Sequence, residues 1–127
     1  KDVGVIGVDS GYEIYIGGNG GIKTEVAQFF VKAKDDDEVM AYSGAFIQLY
    51  REEGFYLERT CHYLERVGME HVRQRVLEDA DSRRALHERL LFALQDYTDP
   101  WAEICEDPSG GPRKREFETI KVQEREI

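Results

Sequence analysis

Val3-Gly4-Val5-Ile6-Gly7-Val8-Asp9-Ser10-Gly11-Tyr12-Glu13-Ile14-Tyr15-Ile16-Gly17-Gly18-Asn19-Gly20-Gly21 decides how the chain folds. Val3, Val5, Ile6 and Val8 form a β-rich apolar run. Tyr12, Ile14 and Ile16 then alternate with Glu13 and Tyr15, the period of two that a half-buried strand requires. Asp9-Ser10-Gly11 between them carries turn chemistry: Asp and Ser bond the local backbone, and Gly accepts a positive φ. The reading is a hairpin. Gly4 and Gly7 weaken the first strand and suggest a bulge or another backbone pressing close. Beyond the glycine run, strand-like content returns over residues 22–33 and ends in Phe29-Phe30-Val31, which makes a small sheet of about three strands.

Downstream the period changes. Asp35 is a candidate N-cap with Glu38 three residues on, and Val39, Tyr42, Phe46, Leu49 and Tyr50 recur at helical spacing until Gly54 interrupts them. Leu57, Cys61 and Leu64 share a face of a second helix that Gly68 can terminate. Val72, Val76 and Leu77 suggest a short third. From about Asp81, the residues Ala85, Leu86, Leu90, Leu91 and Leu94 make a fourth, and Pro100 disfavours helix at Asp99. The expected class is α+β: a small N-terminal sheet of about three strands followed by a bundle of about four helices. Residues 1–104 read as one domain portion. Residues 105–127 read as a linker, Pro108-Ser109-Gly110-Gly111-Pro112, and a charged tail in which Phe117, Ile120 and Val122 suggest a weak strand.

The composition narrows the function classes. A formal net charge of −9 over 127 residues argues against nucleic acid, whose phosphates call for clustered Lys and Arg. No stretch approaches the roughly 20 apolar residues of a membrane span, and no basic segment plus apolar core resembles a signal peptide, so a cytoplasmic location is expected. Two cysteines, Cys61 and Cys105, supply neither a disulfide framework nor a four-ligand metal set. No metal-binding and no catalytic residue is expected. The start at Lys1, without Met, suggests a piece of a longer chain.

Each local motif has a plain reading beside the chemical one. Glycines without Cβ let a backbone lie against a flat or anionic ligand, yet the run at 17–21 is neither GxGxxG nor a P-loop and is also an ordinary loop. Cys61-His62 hints at an activated thiol, but adjacent helical residues point about 100° apart. His71 and His87 lie in charged helical segments and read as solvated. Asp35-Asp36-Asp37-Glu38 lacks the alternating oxygen ligands of a calcium loop and suits a helix N-terminus. The aromatic stripe Tyr42, Phe46, Tyr50, Phe55 and Tyr56 reads as core or buried interface.

Several blocks in order carry a resemblance: Lys1-Asp2-Val3-Gly4, Asp9-Ser10-Gly11-Tyr12-Glu13, Gly17-Gly18-Asn19-Gly20-Gly21, Ala45 to Glu53, Tyr56-Leu57-Glu58-Arg59-Thr60, Glu65-Arg66-Val67-Gly68 and Asp99-Pro100-Trp101. Over about residues 1–104 the chain resembles the C-terminal part of the large subunit of assimilatory NAD(P)H nitrite reductases, in the sirohaem and [4Fe-4S] nitrite and sulfite reductase family. The resemblance implies a parent enzyme that moves electrons from NAD(P)H through FAD and a [4Fe-4S] cluster to sirohaem and reduces nitrite to ammonia. It implies that the cluster cysteines precede residue 1, that this piece binds no cofactor alone and is inactive alone, and that its partners are the rest of the reductase chain and the small subunit. By resemblance, Gly17, Gly18, Asn19, Gly20 and Gly21 lie on the cofactor side. Two rivals stand beside it: a non-enzymatic interaction module using the aromatic helices, and a small anion-binding domain using the loop amides.

Overall fold

The structure, a computed structural model, describes residues 1–106. The linker and tail strand expected beyond them lie outside the described residues. The chain divides into a unit of residues 1–95 and a second of residues 96–127. In the first, β1 (Val3–Val8), β2 (Gly11–Ile16), β3 (Asn19–Gly20), β4 (Thr24–Glu25) and β5 (Gln28–Ala33) precede α1 (Asp36–Glu53), α2 (Thr60–Val67), α3 (Met69–Arg73), a π turn (Gln74–Glu78) and α4 (Ala80–Leu94). The second contains α5 (Pro100–Glu106), which begins at the proline that bars helix at Asp99.

The expected α+β class is what forms: three antiparallel strands in the order β1-β2-β5, then five α-helices among the described residues. Gly11 closes the first hairpin with φ +129. The return segment divides differently from the expectation. Thr24–Glu25 pairs with Asn19–Gly20 in a separate two-stranded sheet, and only Gln28–Ala33 joins β2. Of the two readings of Gly4 and Gly7, a bulge or another backbone pressing close, the bulge is absent from β1, whose register with β2 runs unbroken from Val3↔Ile16 to Val8↔Gly11. It lies on the other side of β2, where Ile14 faces Val31 and Tyr15 faces Phe29. The extra residue is Phe30, and the bulge re-aims its ring into the core. As an edge strand, β1 leaves Ile6 53% exposed.

One face of the sheet carries the core. Ile14, Ile16, Phe30 and Ala33 pack with Ala45, Phe46 and Leu49 of α1, Tyr63 and Leu64 of α2, Val72, Val76 and Leu86. Phe30 and Phe46 meet with ring centroids 6.2 Å apart. The N-terminus of α1 is capped as read: Glu38 N donates to Asp35 Oδ1 at 2.9 Å, and Glu38 Oε2 accepts from Lys34 N at 2.9 Å. Gly44 brings α1 against α4, because a Cβ there would stand 2.7 Å from His87 Cδ2. Glu52 ties the same two helices, accepting from Arg89 Nε at 2.7 Å and Nη2 at 2.9 Å.

Three expectations for the helices need correction. Leu57 lies before α2, in a turn, and is exposed. The helix starts at Thr60 because Arg59 is still extended. The third helix passes directly into the π turn, which keeps both Val72 and Val76 buried. On α4 only Leu86 is buried, while Leu91 and Leu94 face outward, since α1 and the π turn pack against one side of that helix.

Two predictions follow from this packing. Gly17 ends β2 with φ +78, and a Cβ on it would meet Leu64 Cδ1 at 2.3 Å. Gly17→Ala therefore combines left-handed strain with overpacking and should lower the urea-unfolding free energy by about 2–4 kcal/mol. Arg89 and Gln48 hold the Glu52 carboxyl down at about 2 against an ordinary 4.5. A depressed carboxylate contributes stability above its unfolded value and loses it as pH falls through the folded value. Unfolding free energy should thus drop between pH 4.5 and about 2, and Glu52→Gln should flatten that part of the profile in a pH series of denaturation curves.

Candidate functional site

The glycine run leaves β2 and changes character halfway along. Gly17 and Gly18 are buried, Asn19 is half-buried, and Gly20 and Gly21 are exposed. The inner half is used by the protein itself. Gly17 N donates to Asp2 O at 3.0 Å, Gly17 lies against Leu64, and a Cβ on Gly18 would stand 2.6 Å from Lys1 O. Asn19 Nδ2 donates to Lys23 O at 2.9 Å and closes the small hairpin in which Gly20 pairs with Thr24.

The outer half is open. A Cβ on Gly20 would have no heavy atom within 4 Å. Beside it, Ile22 and Val26 are exposed almost completely. The hairpin therefore presents bare backbone next to two aliphatic side chains, a surface suited to a flat and largely apolar body. Its one cation, Lys23, is paired with Glu25 at 3.0 Å, which holds its ammonium pKa above the ordinary value.

The other candidate residues are dispersed. Cys61 is buried in α2, its neighbour His62 is exposed, and Cys105 is exposed in the second unit. Among the described residues no three His, Cys, Asp or Glu side chains gather as a metal site. His71 is not a solvated face residue: its Nε2 lies 2.8 Å from Glu53 Oε2. Glu53 also accepts from Tyr63 Oη at 2.7 Å and lies 3.5 Å from Arg75 Nη1, joining the end of α1 to α2, α3 and the π turn. Burial and this carboxylate push the Tyr63 hydroxyl far above its ordinary value.

The acidic run at Asp35 caps α1, and Tyr12 Oη donates to Asp36 Oδ1 at 2.6 Å. A shallow depression lined by Gln74, Glu78, Asp79, Ala80 and Asp81 sits where Asp79 caps α4. Of the aromatic stripe, Phe46 is fully buried and Tyr42 and Tyr50 pack on the core, but Phe55 and Tyr56 are exposed because α1 ends before them. Sequence periodicity also missed the clamp that holds them. Arg66 bonds both Glu58 carboxylate oxygens at 2.8 Å and lies 3.9 Å from the Phe55 ring centroid. With the Phe55 amide it draws the Glu58 carboxyl down to about 2. Among the described residues no helix is long and apolar enough to cross a membrane.

Comparison with known proteins supports the family named in the resemblance. Residues 1–84 match the family model described as the nitrite and sulphite reductase 4Fe-4S domain. The chain is 47% identical to a nitrite reductase [NAD(P)H] of Bacillus subtilis, over 84% of this chain and 13% of that protein. It is 31% identical to the nitrite reductase [NAD(P)H] of Emericella nidulans, over 99% of this chain and 12% of that one. With the nitrite reductase (NADH) large subunit of Escherichia coli it shares 28% identity over 92% of this chain and 14% of that protein. The chain thus spans about an eighth of the length of these relatives. No solved structure matches it. With its first 84 residues matched by the family model, the chain belongs to the nitrite and sulphite reductase 4Fe-4S domain family, a family of oxidoreductases.

Proposed function

We propose that the polypeptide carrying this chain reduces nitrite to ammonia in the cytoplasm, with electrons passing from NAD(P)H through FAD and a [4Fe-4S] cluster to sirohaem. Residues 17–21 form one wall of the sirohaem pocket in this reading. The observation that carries the wall is the open outer half of the loop, where Gly20 has nothing in front of it beside exposed Ile22 and Val26.

The residues present do not fit the cluster. Four thiolates hold such a cluster, whereas this chain has two cysteines, one buried in α2 and one in a different unit. The cluster ligands therefore belong to the remaining polypeptide. The loop does fit one side of a macrocycle. When bound, sirohaem supplies the iron at which nitrite is reduced. Gly20 and Gly21 let the backbone approach a ring without an intervening Cβ, and Ile22 and Val26 exclude water from its edge. Gly17 and Asn19 fix the loop, the first through Asp2 O and Leu64, the second through Lys23 O.

Anion binding lies elsewhere as well. A chain of net charge −9 repels nitrite and the carboxylates of sirohaem, and Lys23 is already paired with Glu25. The rival anion-binding reading loses its inner amide to Asp2 O, and the aromatic-helix reading loses Phe46 to the core. The partners of this wall are the rest of the reductase chain and the small subunit.

Two measurements test the reading. The purified 127-residue chain should be colourless and free of stoichiometric iron, because its thiolates are too few; a Soret band would overturn that. Gly20→Val should leave the unfolding free energy of the isolated chain within about 0.5 kcal/mol, since the added methyl groups point into open space. In the full-length reductase the same substitution should lower sirohaem content and nitrite turnover while NAD(P)H-driven flavin reduction continues. Unchanged haem content and turnover would reduce the loop to a connector.

A further inference from the structure

Between α1 and α2 the chain makes a turn that is rigid at its base and apolar at its tip. Glu58 N donates to Phe55 O at 3.0 Å, Phe55 N donates to Glu58 Oε2 at 2.9 Å, and Tyr50 Oη donates to Glu58 O. Arg66 covers the Phe55 ring, grips the Glu58 carboxylate and donates to Glu53 O at 2.9 Å. Yet the two residues these bonds surround, Tyr56 and Leu57, are 93% and 82% exposed.

Leu57 also has φ +62, and it is the only non-glycine residue with positive φ among those described. A γ-branched side chain is costly in that region, where Gly or Asn serves a turn at less strain. The turn therefore gains nothing for its own folding from leucine at this position. Strain held in place by a surrounding network, with the strained side chain aimed into solvent, is the mark of a contact made elsewhere.

We propose that the Tyr56–Leu57 turn is a preformed apolar anchor that seats in a pocket on the part of the reductase polypeptide outside these 127 residues. The proposal rests on the reading above that this chain is one piece of a longer reductase. The size of the tip selects that occupant over a free partner. One tyrosine and one leucine bury on the order of 300 Å², far below the roughly 1,600 Å² of an independent protein–protein interface. Such an anchor works when a covalent link keeps its pocket at high effective concentration. The relatives carry the matching sequence as about an eighth of one polypeptide. Because the clamp has already fixed the turn, docking costs little further backbone entropy.

Hydroxyl-radical footprinting read by mass spectrometry tests this on two samples, the 127-residue chain and the full-length reductase. Tyr56 and Leu57 should oxidise rapidly in the former, and in the latter as slowly as the buried Tyr63 and Leu49. Leu57→Gly gives an independent arm. It removes the strain and should raise the melting temperature of the 127-residue chain, yet lower that of the full-length reductase by unseating the anchor. Equal oxidation in both samples, or a melting temperature raised in both, overturns the proposal. Protection that disappears when a full-length oligomer is diluted to monomer also overturns it, by assigning the pocket to a second copy. A full-length enzyme that reduces nitrite with Tyr56 and Leu57 unprotected refutes the anchor alone. Protection in an enzyme inert toward nitrite supports the anchor and refutes the functional reading alone.

Discussion

The missing side chain at Gly17 is the constraint from which the arrangement of sheet, loop and helix follows. At that residue β2 must end, the chain must turn with positive φ, and α2 must come close enough for Leu64 to lie where a Cβ would be. These requirements meet at one position that only glycine satisfies without strain. Its amide is meanwhile taken by Asp2 O, so the start of the chain, the end of β2 and the face of α2 are fixed together. The next residue repeats the pattern on a smaller scale, with Gly18 against the backbone of Lys1. Everything the loop presents outward is carried on this buried pair.

Polar contacts divide the remaining work between holding helices and shaping surface. Glu52 and Glu53 are adjacent on α1 but face different neighbours: Glu52 reaches Arg89 on α4, and Glu53 collects Tyr63, His71 and Arg75 from three successive elements. A carboxylate with several donors is well satisfied, and removing Glu53 would leave the Tyr63 hydroxyl buried without its partner. Glu58 and Arg66 make the corresponding clamp on the surface. Arg66, Arg75 and Arg89 are taken up in these pairs.

Much of the local structure was legible because it depends on short-range chemistry. Alternation from Tyr12 to Ile16 reads as a strand, Asp35 with Glu38 as a helix start, Gly54 and Gly68 as stops, and Pro100 as a helix boundary; all of these form as read. Errors arose where tertiary context outweighs local pattern. Leu57 fits a helical stripe with Cys61 and Leu64, but α2 begins three residues later. Leu91 and Leu94 continue the stripe of Leu86, but no element among the described residues covers them. The glycines of β1 suggested a bulge that the structure puts on β5, since a bulge depends on how two strands pair and not on either strand's composition.

The sequence by itself determined the α+β order, the hairpin at Gly11, the cap at Asp35, the count of only two cysteines and, through several ordered blocks, the family. Each depends on residues near in sequence or on counts of residue types, so no three-dimensional knowledge is needed. Only the tertiary structure decided which half of the glycine run is buried against Leu64 and Lys1 and which half stays open, that His71 and Tyr63 converge on Glu53, and that Leu57 is strained outward over a clamp of Glu58 and Arg66. Those facts depend on packing between residues up to dozens of positions apart. Their distances are set by the whole core, and no local period encodes them.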